Sequence, residues 1–378
     1  MSDNTDVANM TTSGSDSGWA TDEDVWVRPK PEVRVNIPDE IVDCDAHIVE
    51  TTEDVAKYIE DEETKKYVES GYFDYPNFDG WDRGAGGRIK TRTNRGPETQ
   101  ELVMDDLSLD YVILSPTKNL HHGKIVDRDL ACALAQGYND YILTEWLDYS
   151  DRFKTGIFVP ARDPEFGARE IERLADEDGF VCVYINPHAG PEKALGDERY
   201  DPIYEAAEKH DLTIALHGGA TTWAQFPTNT NVFHKFIEVH SVSHPFQQMA
   251  QVTSILCRGV PVRFPDIKFV TMEAGISWLP YLSRLDTEFL RRPNEAPLLE
   301  RRPTEYFEDH FWITSQPMEE FQGSLNLMEY AGGFDNLLFS SDWPHWDFDS
   351  PAVVRDHFPK EEWSKIYAEN ARNAFPRL

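Results

Sequence analysis

From residue 41 onward the chain repeats one rhythm: a short apolar or β-branched run, a few polar turn residues, then a stretch with helical spacing. The runs fall at residues 41–48, 111–116, 154–160, 180–187, 212–219, 267–275, 310–317 and 337–345. Their apolar character is nearly continuous rather than alternating, as parallel strands covered on both faces require. Helical periodicity lies between most of them, most clearly over 127–147, 164–178, 203–210, 245–258, 277–290 and 319–330, and 360–374 supplies a last helix able to close a ring. Strands alternating with helices eight times over roughly 300 residues predict an α/β fold, a (β/α)8 TIM barrel. A doubly wound open sheet is the alternative, but no G-x-G-x-x-G follows the first run.

Two stretches break the rhythm. Residues 1–35 are rich in Ser, Thr, Asp and Asn with few large apolar side chains. They bury too little to fold alone and read as a disordered acidic tail ahead of one domain, 36–378. Between the first two strands, the 51–105 insertion carries YFDYPNFDGWDRGAGGRIKTRTNRG. A long excursion from the C-terminal end of a barrel strand reads as a lid or substrate loop, against a mobile solvated excursion. Its Arg83, Arg88, Arg92 and Arg95 are candidate carboxylate anchors.

With 40% hydrophobic residues the chain can bury a large core. No run approaches the roughly 18 apolar residues of a membrane span, and the polar N-terminus lacks a secretory pattern. The expectation is a cytoplasmic protein without membrane contact. Cys44, Cys132, Cys182 and Cys257 lie far apart in apolar segments without a C-x-x-C, and read as buried thiols. Acidic residues number 68 against 36 basic ones, of which 14 are Lys, for a net charge of -32. The acids are scattered rather than blocked, which suggests a halophilic surface adapted to a salt-rich cytoplasm. Such a charge excludes nucleic acid as a partner, since phosphate backbones need a basic footprint.

Barrel enzymes build their sites where strands end, at the C-terminal face. The first strand ends in Asp43-Cys44-Asp45-Ala46-His47, the fifth in His217-Gly218-Gly219, the sixth in Glu273-Ala274-Gly275, and the eighth in Ser341-Asp342-Trp343-Pro344-His345. Residues i and i+2 of a strand share a side, so Asp45 and His47 can face one cation. With His217 and Asp342 they make two imidazoles and two carboxylates, a donor set for one divalent metal ion: Zn²⁺ first, or Mn²⁺ if more oxygen and water ligands join. His345 lies three residues past Asp342. His188 and the His121–His122 pair follow strands four and two. His244 precedes Pro245 at the expected start of a helix, where an exposed loop position is the default. Trp278 and Trp343 are candidate apolar walls, with ordinary packing as the alternative.

The segments DCDAHIVE, YINPHAGP, IALHGG, RFPDIKFVTMEAGISWLPYLSRLD and LLFSSDWPHWD resemble the amidohydrolase-2 group, relatives of aminocarboxymuconate semialdehyde decarboxylase within the amidohydrolase superfamily. The resemblance covers nearly all of residues 41–375 and implies a TIM-type barrel with one catalytic divalent metal, usually in a homodimer or larger homo-oligomer. It assigns metal ligation to Asp45, His47, His217 and Asp342. It also places near Arg284 an arginine that reaches a substrate carboxylate across a dimer interface. Two positions depart from the pattern: Asp45 stands where many members have His, and Glu273 where the decarboxylases have the His that handles water or a proton.

The expected activity is metal-dependent hydrolysis of a small, carboxylate-bearing organic substrate by metal-activated water. Glu273 or His345 would move the proton and Asp342 would orient the nucleophile, with Arg284, His188, His244 and Trp343 toward the substrate. The alternative is non-oxidative decarboxylation of an aromatic or unsaturated acid. A barrel that has lost catalysis and serves as a scaffold is the third reading.

Overall fold

The structure, a computed structural model, describes residues 40–71, 73, 96–187, 193–219, 224–225, 228–230, 232–319, 333–345 and 347–378. The N-terminal tail, the four loop arginines, His188 and nearly all of the expected 319–330 helix lie outside the described residues.

All eight expected strands form: β1 (Val42–His47), β2 (Tyr111–Ser115), β3 (Phe153–Phe158), β4 (Phe180–Ile185), β5 (Thr213–His217), β6 (Phe269–Met272), β7 (Phe311–Thr314) and β8 (Leu337–Leu338). They pair in parallel and in chain order within one sheet. The last strand is short, and the chain beyond it meets β1 through separate backbone bonds. Phe339 O accepts from Cys44 N–H (3.0 Å), Asp342 N–H donates to Asp45 O (2.7 Å), and Trp343 O accepts from His47 N–H (2.6 Å). These contacts bring the first and eighth strands together and make the (β/α)8 barrel. The β1–β2 register slips between Asp43 and Ala46, the kind of irregularity that re-aims a side chain at a strand end.

The helices are α1 (Thr52–Ala56), α2 (Glu62–Glu69), α3 (Pro97–Leu107), α4 (Arg128–Ile142), α5 (Pro164–Leu174), α6 (Asp201–Lys209), α7 (Phe236–Cys257), α8 (Val260–Arg263), α9 (Tyr281–Arg291), α10 (Pro303–His310), α11 (Pro351–His357) and α12 (Asn370–Ala374). The described ends of the 51–105 insertion are therefore helical. Asp127 and Asp163 cap α4 and α5, accepting from Leu130 N–H and Phe166 N–H. An Asp at this position satisfies an otherwise orphaned donor of the first turn. Among the described residues no helix is long and apolar enough to cross a membrane. The cysteines are free thiols, with Cys257 only half-buried.

One helix departs from expectation. Pro245 predicts a helix start, yet it lies inside α7, which begins at Phe236. Three fully buried glutamines fasten this helix to the strand ends. Gln247 Nε2 donates to Gly219 O (2.8 Å), Gln248 Nε2 to Leu216 O (2.6 Å), and Gln251 Nε2 to Pro187 O (2.6 Å). These bonds fasten the helix to backbone carbonyls at the ends of β4 and β5, and so offset the helix bond that a proline removes.

Candidate metal centre

β1 carries Asp43, Asp45 and His47, all fully buried. His47 Nδ1 lies 2.8 Å from Pro116 O and His217 Nδ1 lies 2.7 Å from Gly218 O. A carbonyl can only accept, so each Nδ1 carries the proton and each Nε2 presents a lone pair. Those two Nε2 atoms are 3.1 Å apart. Around them stand Asp45 Oδ2, 3.2 Å from His217 Nε2, and Asp342 Oδ1, 3.2 Å from His47 Nε2. Glu273 Oε2 follows at 3.7 Å from His217 Nε2. Acceptors thus face acceptors in a buried place, and Asp45 Oδ2 has no hydrogen-bond donor. Tetrahedral donors about 2.0–2.1 Å from a cation are about 3.4 Å from one another, close to the separations seen here. The residues present fit a divalent metal ion.

The titration pattern reports the same crowding. Burial, followed by repulsion from Glu273, Asp347, Asp45 and Asp349, pushes the Asp342 carboxyl well above the usual range. Burial, with His345 and His217 nearby, holds His47 well below the ordinary histidine value. At His217 burial acts downward, but Asp45, Glu273 and the Gly218 carbonyl outweigh it and raise the imidazole to about 9. A cation held by these donors supplies the positive charge that these shifts otherwise draw from protons.

Neighbouring groups hold the donors in place. Ser115 Oγ donates to Asp45 Oδ1 (2.6 Å) and lies 2.8 Å from Tyr184 Oη, making a relay from β4 through β2 to β1. Gly156 makes room for it: a Cβ there would lie 2.6 Å from the Tyr184 ring. Asp43 accepts from Ser341 N–H (2.8 Å) and Ser341 Oγ (2.5 Å), which ties the eighth strand end to the first. Asp342 itself sits at φ 58° and Glu273 at φ 50°, left-handed conformations that non-glycine residues seldom adopt. Such strain persists where surrounding bonds over-determine it, and it concentrates at functional sites. Here Asp342 N–H is held by Asp45 O, and Glu273 N–H by Thr314 Oγ1 at 3.1 Å.

His345 lies where the sequence suggests. Its Nδ1 is 2.7 Å from Asp342 Oδ1, and its Nε2 is 3.2 Å from Thr117 Oγ1. Gln316 Nε2 donates to the other Asp342 oxygen at 3.2 Å. His244 is a correction: instead of standing exposed ahead of a helix, it is buried within α7, with Nε2 3.5 Å from Glu273 Oε1. Trp343 is a core residue, 1% exposed, whose carbonyl pairs with β1. Trp278 is also buried, its Nε1 donating to Gly275 O. Arg284 stands on the outer side of α9, 65% exposed and paired with Glu288 one turn on, so this chain does not bring it to its own site. His122 is buried with Nε2 on Ala131 O, and His121 is buried beside it. Asp43, Ser115, Tyr184, Gln316 and His240 escape the sequence reading. For Asp43, the i, i+2 spacing with Asp45 was the available signal.

The barrel and its strand-end donor set define a metal-binding (β/α)8 enzyme. The amidohydrolase family model matches residues 42–377, and the chain belongs to that family. The gamma-resorcylate decarboxylase of Polaromonas sp. is 25% identical over 285 residues, spanning 72% of this chain and 85% of its own length. An amidohydrolase from Mycobacterium avium subsp. paratuberculosis superposes with a TM-score of 0.71 at 18% identity, covering 90% of this chain and all of its own. A dihydroxybenzoic acid decarboxylase from Polaromonas sp., with bound manganese and 2-nitroresorcinol, does so at 0.67 and 19% identity, covering 90% of this chain and 97% of its own.

Proposed function

We propose that this protein is a metal-dependent, non-oxidative decarboxylase of a hydroxylated aromatic carboxylic acid, in preference to the hydrolase that the sequence puts first. The observation that carries this reading is the placement of Asp342. A hydrolase needs a base to take a proton from water, whereas a decarboxylase needs an acid to hand one to carbon. Asp342 is fully buried beside the donor cluster, with His345 Nδ1 2.7 Å from its Oδ1 and Gln316 Nε2 3.2 Å from its Oδ2, so a group able to supply a proton stands directly behind it. The decarboxylases that the chain resembles along most of its length support the same choice.

We assign Asp45, His47 and His217 to a divalent cation, with Mn²⁺ favoured over Zn²⁺ by the manganese-bound relative. When bound, such an ion would supply Lewis-acid charge for the substrate's carboxylate and an adjacent oxygen. The residues do the rest. Asp342 gives its proton to the ring carbon as the bond from that carbon to the carboxylate breaks. CO2 leaves, and the ring keeps the electron pair in its new C–H bond. His345, reaching Thr117 on its far side, returns a proton to Asp342.

The test is to incubate the Mn²⁺-loaded enzyme with gamma-resorcylate and a panel of hydroxybenzoates in D2O. Release of CO2 with one deuterium placed on the ring is expected. No CO2 from any of them, together with hydrolysis of an ester or amide panel, would overturn the reading in favour of hydrolysis.

A further inference from the structure

We infer that this chain carries a second divalent-cation site, adjoining the first and built from His240 and His244 of α7 and Glu273 after β6. It does not depend on which reaction the first site performs.

The two histidines stand one turn apart on α7, the spacing that puts side chains on one helix face. Their rings meet at 5.1 Å between centroids, inclined at 62°. His240, His244 and Glu273 each offer a donor atom within 4.8 Å of the others. His244 Nδ1 is 3.2 Å from Ser243 Oγ, which leaves Nε2 directed to Glu273. His244 Nε2 is 3.5 Å from Glu273 Oε1, close to the about 3.4 Å that separates donors sharing one tetrahedral ion, and His240 Nε2 also faces Asp347 Oδ2 at 3.7 Å.

Glu273 joins the two sites. Its Oε2 faces His217 and its Oε1 faces His244, so one carboxylate can bridge two cations. The surrounding packing keeps the approach close. A Cβ on Gly218 would lie 3.1 Å from both His244 Cδ2 and Gln247 Oε1, so the glycine after His217 lets α7 settle against that strand end. Two imidazoles with one carboxylate suit a borderline cation such as Zn²⁺ or Mn²⁺ rather than Ca²⁺. This also gives a role to the exchange of Glu for His at the end of β6: the carboxylate stays at the first site, and α7 supplies imidazoles to its other oxygen.

The test is metal stoichiometry, read without any substrate. Full-length protein purified without an affinity tag is loaded with Mn²⁺, desalted, and measured by elemental analysis and electron paramagnetic resonance. Wild type should hold two ions per chain with the spectrum of a spin-coupled pair. His240→Ala and the near-isosteric His244→Gln should each hold one, with an uncoupled spectrum. Loss of a direct ligand should weaken the second ion by more than the roughly 10–100-fold that loss of an outer-shell partner costs. Saturation of the wild type at one ion, or retention of two coupled ions in both variants, would overturn the proposal. Either result leaves the decarboxylase test untouched, because that test reads CO2.

Discussion

Removing the Ser115 hydroxyl tests whether the Tyr184–Ser115–Asp45 relay acts as a unit. Ser115 donates to a buried carboxylate, so the proton on Tyr184 points to Ser115 Oγ. Ser115→Ala therefore removes a charge-assisted bond, worth about 1.5–3 kcal/mol, and strands the Tyr184 hydroxyl, at a further 1–3 kcal/mol or so. A loss of about 3–5 kcal/mol is expected in the metal-free protein. Tyr184→Phe alone deletes only a neutral bond, about 1 kcal/mol. In the double variant the same two bonds are lost but no donor is stranded, so it should be more stable than Ser115→Ala by about 1–2 kcal/mol. Urea unfolding of the four proteins in high salt gives the cycle directly. Additivity of the two single effects to within about 0.5 kcal/mol would mean that the groups act independently and would refute the relay.

Asp342→Asn keeps the shape but not the proton, and should lower turnover by about 10²–10⁴-fold, the contribution of general acid–base catalysis; activity within a few-fold of wild type would exclude Asp342 as the acid. Burial lowers His122 from 6.5 to about 4, so the native state resists a proton that the unfolded chain accepts. Its stabilising contribution is therefore complete above pH 6.5 and falls by about 3 kcal/mol as the pH drops to 4; the wild-type minus His122→Gln difference in urea stability should show that slope, and a flat difference would contradict it. Stripping the metal with chelator should lower the melting temperature, because an ion at a hundredfold over its Kd contributes about 2.7 kcal/mol; an unchanged melt would deny coupling of binding to folding. Raising KCl from 0.1 to 1 M shortens the screening length from about 10 to 3 Å. With a net charge of -32 the melting temperature should rise, and a fall would speak against the salt-adapted surface.

How much of this was legible follows from where each signal resides. Parallel strands announce themselves because both faces are buried, and every strand run in the sequence found its place in the sheet. The donors on β1, β5 and beyond β8 were legible for a related reason: ionisable side chains closing apolar runs have no ordinary use in a core. Contacts made across the barrel left no such trace. Asp43 bonds to Ser341 across 298 positions of sequence, and Ser115 reads as the last residue of an apolar strand until Asp45 is beside it. α7 shows the opposite failure, a local rule applied correctly and then outweighed. Pro245 does forfeit a helix bond, but Gln247, Gln248 and Gln251 bind the following turns to the ends of β4 and β5, so the helix continues back through the proline. Once it does, His240, which the sequence did not single out, and His244, which read as a loop histidine, fall one turn apart on one face, and His244 stands against Glu273. Glu273, which departs from the pattern that the resemblance implies, thus faces the helix that departs from its own local propensity.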